Sequence, residues 1–248
     1  MPLEHIGGLF GERFGGEAPV LALHGWGRDR RDWAAVLSAT GGLALDLPGF
    51  GATPPPVVAT GAAGYAALVE PALEAFAGRV VVAGHSFGGR VAVHLAARRP
   101  DKVAALVLAG VPLVRLAGSR SRVSVRFRAI RLARRLRLVP ERTLEEARRR
   151  YGSADYRDAS GVMRRVLVTV VGESYERELA GLACPVELVW GEDDRVVPPP
   201  VATRALTLIP TARLTLLPAV GHDVLAQASE AVADAIRAHL PGTVGEPR

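Results

Sequence analysis

Gly84-His85-Ser86-Phe87-Gly88 is the stretch whose residue types and spacing can do chemistry. The apolar run Val80-Val81-Val82-Ala83 before it reads as a buried strand. Gly89 to Ala97 after it reads as a helix, ended by Pro100. A serine flanked two residues either side by glycine, on a strand-to-helix turn, is a nucleophile elbow. Such a turn strains the serine backbone and needs glycine where strand and helix approach. It also presents the hydroxyl at a helix N-terminus, where the dipole favours negative charge. Taken alone, the five residues are equally a glycine-rich turn that contains serine.

Serine is a weak nucleophile; it needs a base, and the base needs an orienting acid. Of six histidines, His222 in Val220-Gly221-His222-Asp223 has the best position, after a strand and loop and before the last helix. His5 and His239 lie at the ends, His94 is mid-helix, and His24 and His85 belong to glycine turns that they shape. On an elbow of this kind the order is serine, acid, histidine. Trp190-Gly191-Glu192-Asp193-Asp194-Arg195-Val196-Val197-Pro198 supplies the acid directly after a strand, with Asp194 better placed and Asp193 the alternative. A tetrahedral intermediate also needs two preorganised N–H donors. The Phe87 amide, first after the nucleophile, is one; the Trp26 amide in His24-Gly25-Trp26-Gly27 is the other.

The elements that must position these residues alternate. Strands are expected at Val20–Leu23, Leu43–Leu45, Val80–Ala83, Val103–Leu108, Val186–Trp190 and Leu214–Leu217. Helices are expected at Tyr65–Ala77, Arg90–Arg98, Val201–Leu208 and Asp223–Leu240. Alternation of this kind implies a doubly wound, mostly parallel α/β sheet covered on both faces. Pro112 to about Leu182 is helical and polar with no strand signal, an inserted lid. The expected organisation is a core of 1–111 and 183–241, a lid of 112–182 and a frayed tail of 242–248.

The 248 residues suffice for one large domain, and 49% are hydrophobic, which excludes disorder. No window approaches the ~18 apolar residues of a membrane span. Met1 to Gly16 carries Glu4, Glu12 and Arg13 and does not read as a secretory leader. The single Cys184 excludes an internal disulfide and a Cys-rich metal site, and makes a cytoplasmic setting the default. No cofactor, metal or nucleotide site has support in the sequence. The net charge of +6 is local: between Arg115 and Arg165 stand 16 arginines and five acids, so the remainder is acidic. That pattern argues against a nucleic-acid binder. Val123, Phe127 and Ile130, then Leu132, Leu136 and Val139, recur at helical spacing among these arginines. The plain reading is an amphipathic lid helix with a solvated basic face; the sharper one is contact with an anionic substrate or membrane surface. Phe127, Met163 and Leu167 are the expected pocket lining.

Five stretches in order resemble the signatures of the α/β-hydrolase superfamily. They are His24-Gly25-Trp26-Gly27, Asp46-Leu47-Pro48-Gly49-Phe50-Gly51, Gly84 to Gly89, Gly191 to Pro198 and Gly221-His222. The resemblance is to small capped carboxylesterases, carboxyl-methyl esterases of biotin-synthesis type and C–C bond hydrolases of ring-cleavage products. It implies structural roles for Asp46 and Pro48, and two leading strands that are poorly marked here, with Leu9–Phe14 as a shortened remnant. The expected activity is cleavage of a small-molecule carboxylic ester through an acyl-enzyme on Ser86. The same triad serves a C–C bond hydrolase or a perhydrolase, and a ligand sensor on a hydrolase scaffold is the non-enzymatic alternative.

Overall fold

The computed structural model describes residues 2–116, 125–151 and 154–241, without the side chains at 125–128, 131, 148–151 and 154. The tail expected at 242–248 and the Phe127 side chain lie outside that description.

Among the described residues, eight strands form one sheet: β1 (Glu4–Ile6), β2 (Leu9–Phe14), β3 (Val20–Leu23), β4 (Gly42–Leu45), β5 (Val80–His85), β6 (Val103–Ala109), β7 (Val186–Gly191) and β8 (Ala212–Leu217). Their order across the sheet is β1-β2-β4-β3-β5-β6-β7-β8. From β4 to β8 every pairing is parallel; β1 and β2 form an antiparallel hairpin at one edge. Both leading strands are therefore present. They carried a weak signal because an edge hairpin has only one half-buried face, and β1 is three residues long.

The central strands β3, β4 and β5 are buried at every position, as parallel strands covered on both faces must be. α2 (Ala62–Val69), α3 (Phe87–Arg98) and α9 (Pro200–Leu206) contribute to the core on one face. α1 (Ala34–Thr40), α10 (Val224–Gln227) and α11 (Ser229–Arg237) contribute to the other. Truncating a buried leucine such as Leu21 or Leu45 to alanine costs about 2–5 kcal/mol. Between β6 and β7 stand five helices: α4 (Val125–Arg135), α5 (Glu141–Tyr151), α6 (Ala154–Asp158), α7 (Gly161–Val171) and α8 (Glu176–Ala180).

Two helices differ from expectation. The stretch expected at Tyr65–Ala77 starts at Ala62 and passes after Val69 into a 3₁₀ turn, Glu70–Ala75. Pro71 has no N–H with which to continue the α ladder. The last helix is broken at Ala228 into α10 and α11. The break lets Gln227 at the end of α10 turn its Oε1 to the Gly221 N–H, bracing the loop that carries His222.

Strand pairing fixes where the chemistry lies. β3 runs beside β5, with Leu23 opposite Gly84, and β4 departs on the other side. This is a topological switch point, the crevice where open α/β sheets place ligands.

Candidate active site

Ser86 leaves β5 with φ 48 and ψ −109, in the region that side chains other than glycine rarely adopt. Its N–H donates to the Ala109 carbonyl at the end of β6 (2.9 Å). The turn closes only with glycine on either side. A Cβ at Gly84 would lie 2.5 Å from Gly89 Cα, and one at Gly88 would lie 2.2 Å from the Leu23 carbonyl oxygen. Strand–helix contact thus holds the strained serine at the sheet edge.

His222 Nε2 stands 3.2 Å from Ser86 Oγ, and its Nδ1 stands 2.8 Å from Asp194 Oδ2. The Asp194 side chain is fully buried, and its other oxygen accepts the Val196 and Val197 N–H groups, both at 2.8 Å. Two backbone donors and one imidazole therefore occupy the carboxylate and fix its plane. Asp193 is exposed, and its N–H donates to the Val220 carbonyl. The Glu192 N–H donates to Leu217, so the acid loop and the histidine loop are laced together by backbone. Gly110 faces the pair: a Cβ there would lie 3.3 Å from His222 Nδ1 and 3.4 Å from Asp194 Oδ2.

The other glycine turn packs onto Ser86: a Cβ at Gly25 would lie 2.9 Å from His85 Nδ1 and 3.6 Å from Ser86 Cβ. Trp26 and Phe87 both line a cavity with Ser86. Phe87 opens α3, so its N–H has no helical carbonyl to reach. The two rings meet edge to face at 5.3 Å, with Phe50 5.0 Å from Trp26 and Tyr65 5.0 Å from Phe87. That aromatic cluster fixes the two backbone segments against each other.

The remaining histidines near the site act as scaffold. His24 is buried; its Nδ1 donates to the Gly25 carbonyl and its Nε2 accepts the Leu47 N–H, and burial lowers its pKa. His85 Nε2 donates to the His222 carbonyl (3.0 Å), and burial pushes its pKa down to about 4. Asp46 is likewise buried and accepts from the Arg30 backbone and guanidinium and from the Ala52 N–H, away from the serine. Pro48 offers its carbonyl to the Tyr65 hydroxyl.

Two adjoining cavities share Trp26 and Asp155. The one containing Ser86 measures about 200 Å³ and is lined mainly by Leu167, Val170, Val171, Val197 and Phe87, with Arg90 and Asp155 as its charged residues. The second, about 510 Å³, is polar and includes Gly27, Arg28, Asp158, Ser160 and Met163. The sequence grouped Met163 with Leu167; the structure brings Leu167 to the serine and Met163 to the neighbouring cavity, 3.7 Å from the Tyr65 hydroxyl. The sequence marks Arg90 only weakly beside the dense arginines of 115–165. Its signal was its spacing: four residues after Ser86 is one helical turn, on the same face. Arg28 is likewise weakly marked; its guanidinium donates to Asp223 (2.8 Å) and joins the Trp26 loop to the His222 loop.

The apolar residues spaced along the basic helix do not share one environment. Leu132 on α4 and Leu136 just after it are 57% and 59% exposed, whereas Ile130 is half-buried. Positions 130 and 132 are about 200° apart around a helix, so one packed face cannot take both. Among the described residues, no arginine of 115–165 lines the Ser86 cavity. Arg134 pairs with Glu141, and Arg164 pairs with Glu145.

A family model described as "Alpha/beta hydrolase family" matches residues 20–235, spanning every element of this site. The chain belongs to the alpha/beta hydrolase family. The chain is 45% identical over 119 residues to the lipase LipV of Mycobacterium tuberculosis, covering 45% of this chain and 44% of the lipase. It is 30% identical to the pimeloyl-[acyl-carrier protein] methyl ester esterase of Aromatoleum aromaticum, over 82% of this chain and 90% of that one. The chain spans less than half the length of the lipase, and 18% to 64% of several other relatives. In fold it matches a thermophilic esterase of Thermogutta terrifontis, with TM-score 0.67 and 22% identity over 96% of this chain and 97% of that one. No helix of the described residues is long and apolar enough to cross a membrane. Among them, no group of three or more His, Cys, Asp or Glu is arranged to hold a metal ion.

Proposed function

We propose that this hydrolase cleaves carboxylic esters through an acyl-enzyme on Ser86, with His222 as base and Asp194 as its orienting acid. The observation that carries the reading is the unbroken row Ser86 Oγ, His222 Nε2, His222 Nδ1, Asp194 Oδ2, at 3.2 and 2.8 Å. Ser86 Oγ attacks the ester carbonyl as its proton passes to His222 Nε2. The Trp26 and Phe87 amides receive the oxyanion. The alcohol departs with the proton from His222. Water, deprotonated by the same nitrogen, then releases the acid and restores Ser86. Asp194, held by the Val196 and Val197 amides, orients the imidazole and stabilises the imidazolium.

Residues 112–182 act as the lid over this edge, through α7, which supplies Leu167 and Val170 to the Ser86 cavity. The acyl group enters that apolar cavity; the alcohol occupies the polar one beside Met163 and Arg28. Ester cleavage is favoured over attack on a C–C bond because lipase and methyl ester esterase are the names of its relatives. The test is hydrolysis of a short-chain nitrophenyl ester by the wild type and Ser86→Ala. A loss on the order of 10³-fold or more in kcat is expected. Equal rates would remove Ser86 from the chemistry.

A further inference from the structure

Arg90 is a cation in the wall of an apolar cavity. It stands one helical turn after Ser86, and the two share the cavity with Leu167, Val170 and Val197. Its guanidinium is fixed from two sides. One terminal nitrogen donates to the Val170 carbonyl near the C-terminal end of α7 (2.5 Å), and the group lies 5.7 Å from the Tyr175 ring centroid. Its Nε is buried and has no hydrogen-bond partner among the described residues. Nor does any described carboxylate lie within ion-pairing distance of it. Glu173, the acid on the far side of Tyr175, is engaged by the Tyr175 hydroxyl and the Ala62 N–H.

A guanidinium has five donors in a planar fork, and a carboxylate fits that fork. A carbonyl at a helix end offsets only part of the charge. Half-burying a cation without an anion is unfavourable, and a ligand that brings the anion offsets it. Asp155 opposes this, since its carboxylate also lines the cavity. It stands at the junction with the second cavity and is exposed, whereas Arg90 is half-buried, so solvent screens Asp155 more.

We propose that Arg90 is a specificity-determining residue that recognises a carboxylate on the acyl part of the substrate. The preferred substrates are then half-esters of short dicarboxylic acids, sized to a cavity of about 200 Å³. This rests on the ester-hydrolase reading above. It differs from selection by the basic helix, whose described arginines do not line this cavity.

The experiment compares kcat/KM for monoethyl succinate and monoethyl glutarate with that for ethyl butyrate and ethyl valerate. Wild type, Arg90→Gln and Arg90→Lys are assayed by acid release, and melting temperature is recorded for each. The wild type is expected to favour the half-esters by about tenfold or more, as one charge-assisted contact allows. Arg90→Gln is expected to lose that preference while keeping the neutral esters within about threefold, and Arg90→Lys to restore part of it. Two outcomes overturn the proposal: a wild type that favours the neutral esters, or an Arg90→Gln variant equally impaired on both, which makes Arg90 a brace for α7 alone. Turnover of none of the four esters by the wild type would instead remove the ester-hydrolase reading. If Arg90→Gln does not fold, Ser86→Ala is titrated calorimetrically with monoethyl glutarate and ethyl valerate. Tighter binding of the half-ester, weakened by added salt, supports the proposal; equal binding overturns it.

Discussion

The carboxyl edge of the sheet and the helices between β6 and β7 handle charge in opposite ways. At the sheet edge, two carboxylates are fully buried and each is met by several fixed donors. Asp194 has two amides and an imidazole; Asp46 has an amide and guanidinium from Arg30 and a second amide from Ala52. In the helical segment, charged side chains also pair nearer the solvent. Arg134 with Glu141 is an example, both partners more than a third exposed. A buried carboxylate with three partners loses several kcal/mol if one is taken away, whereas an exposed pair contributes about 0–1 kcal/mol. The first region therefore holds atoms in place, and the second is free to vary what they act on.

The sharpest way to break this contrast is to change one charge in each environment. Asp194→Asn is expected to lower kcat on the order of 10²- to 10⁴-fold, by disturbing the imidazole tautomer and removing its counter-charge. Asp193→Asn, one residue away and exposed, is expected to stay within about threefold. Steady-state kinetics on both variants checks this, and similar losses would mean that burial and bonding of Asp194 carry no special weight.

Acid stability offers a smaller effect of the same origin. His85 is buried and neutral, its pKa pushed from 6.5 to about 4 by desolvation, and His24 is shifted in the same direction. The unfolded chain binds protons at these sites before the folded one does, so stability rises with pH across this window. The stabilisation is complete above about 6.5 and is lost as pH falls toward about 4. For His85 alone the loss is on the order of 3 kcal/mol. Denaturant unfolding between these pH values should show it, and His85→Gln should flatten the slope. An unchanged slope in that variant would place the acid sensitivity elsewhere.

The smallest effects belong to the helical segment. Leu132→Ser and Leu136→Ser are expected to change stability by no more than about 0.5 kcal/mol, since both side chains already meet solvent. Leu167→Ala, four residues after Met163 on the opposite side of the cavity boundary, should alter the ratio of kcat/KM for long and short acyl esters by about fivefold. A surface-leucine variant that loses several kcal/mol would show that these leucines pack against the fold.

What the sequence determined by itself was local. The elbow around Ser86, the loop that ends in His222, the central strands and the helical stretch between Pro112 and Leu182 all follow from residues adjacent in the chain. Glycine spacing, apolar runs and proline act over a few residues, and so they can be read without knowing what lies opposite. The hairpin of β1 and β2 was faint for the same reason: its register depends on β4, some thirty residues away.

Tertiary structure decided what depends on direction. It turned Asp194 inward to His222 and left Asp193 outward, because the Val196 and Val197 amides face only one of them. It sent Met163 and Leu167, one helical turn apart, into two cavities. It placed Arg90 beside the serine and exposed Leu132 and Leu136, although by residue type alone the crowded arginines and the leucine stripe were the stronger signals. A side chain's environment is set by the elements packed against it, and those arrive from distant parts of the chain.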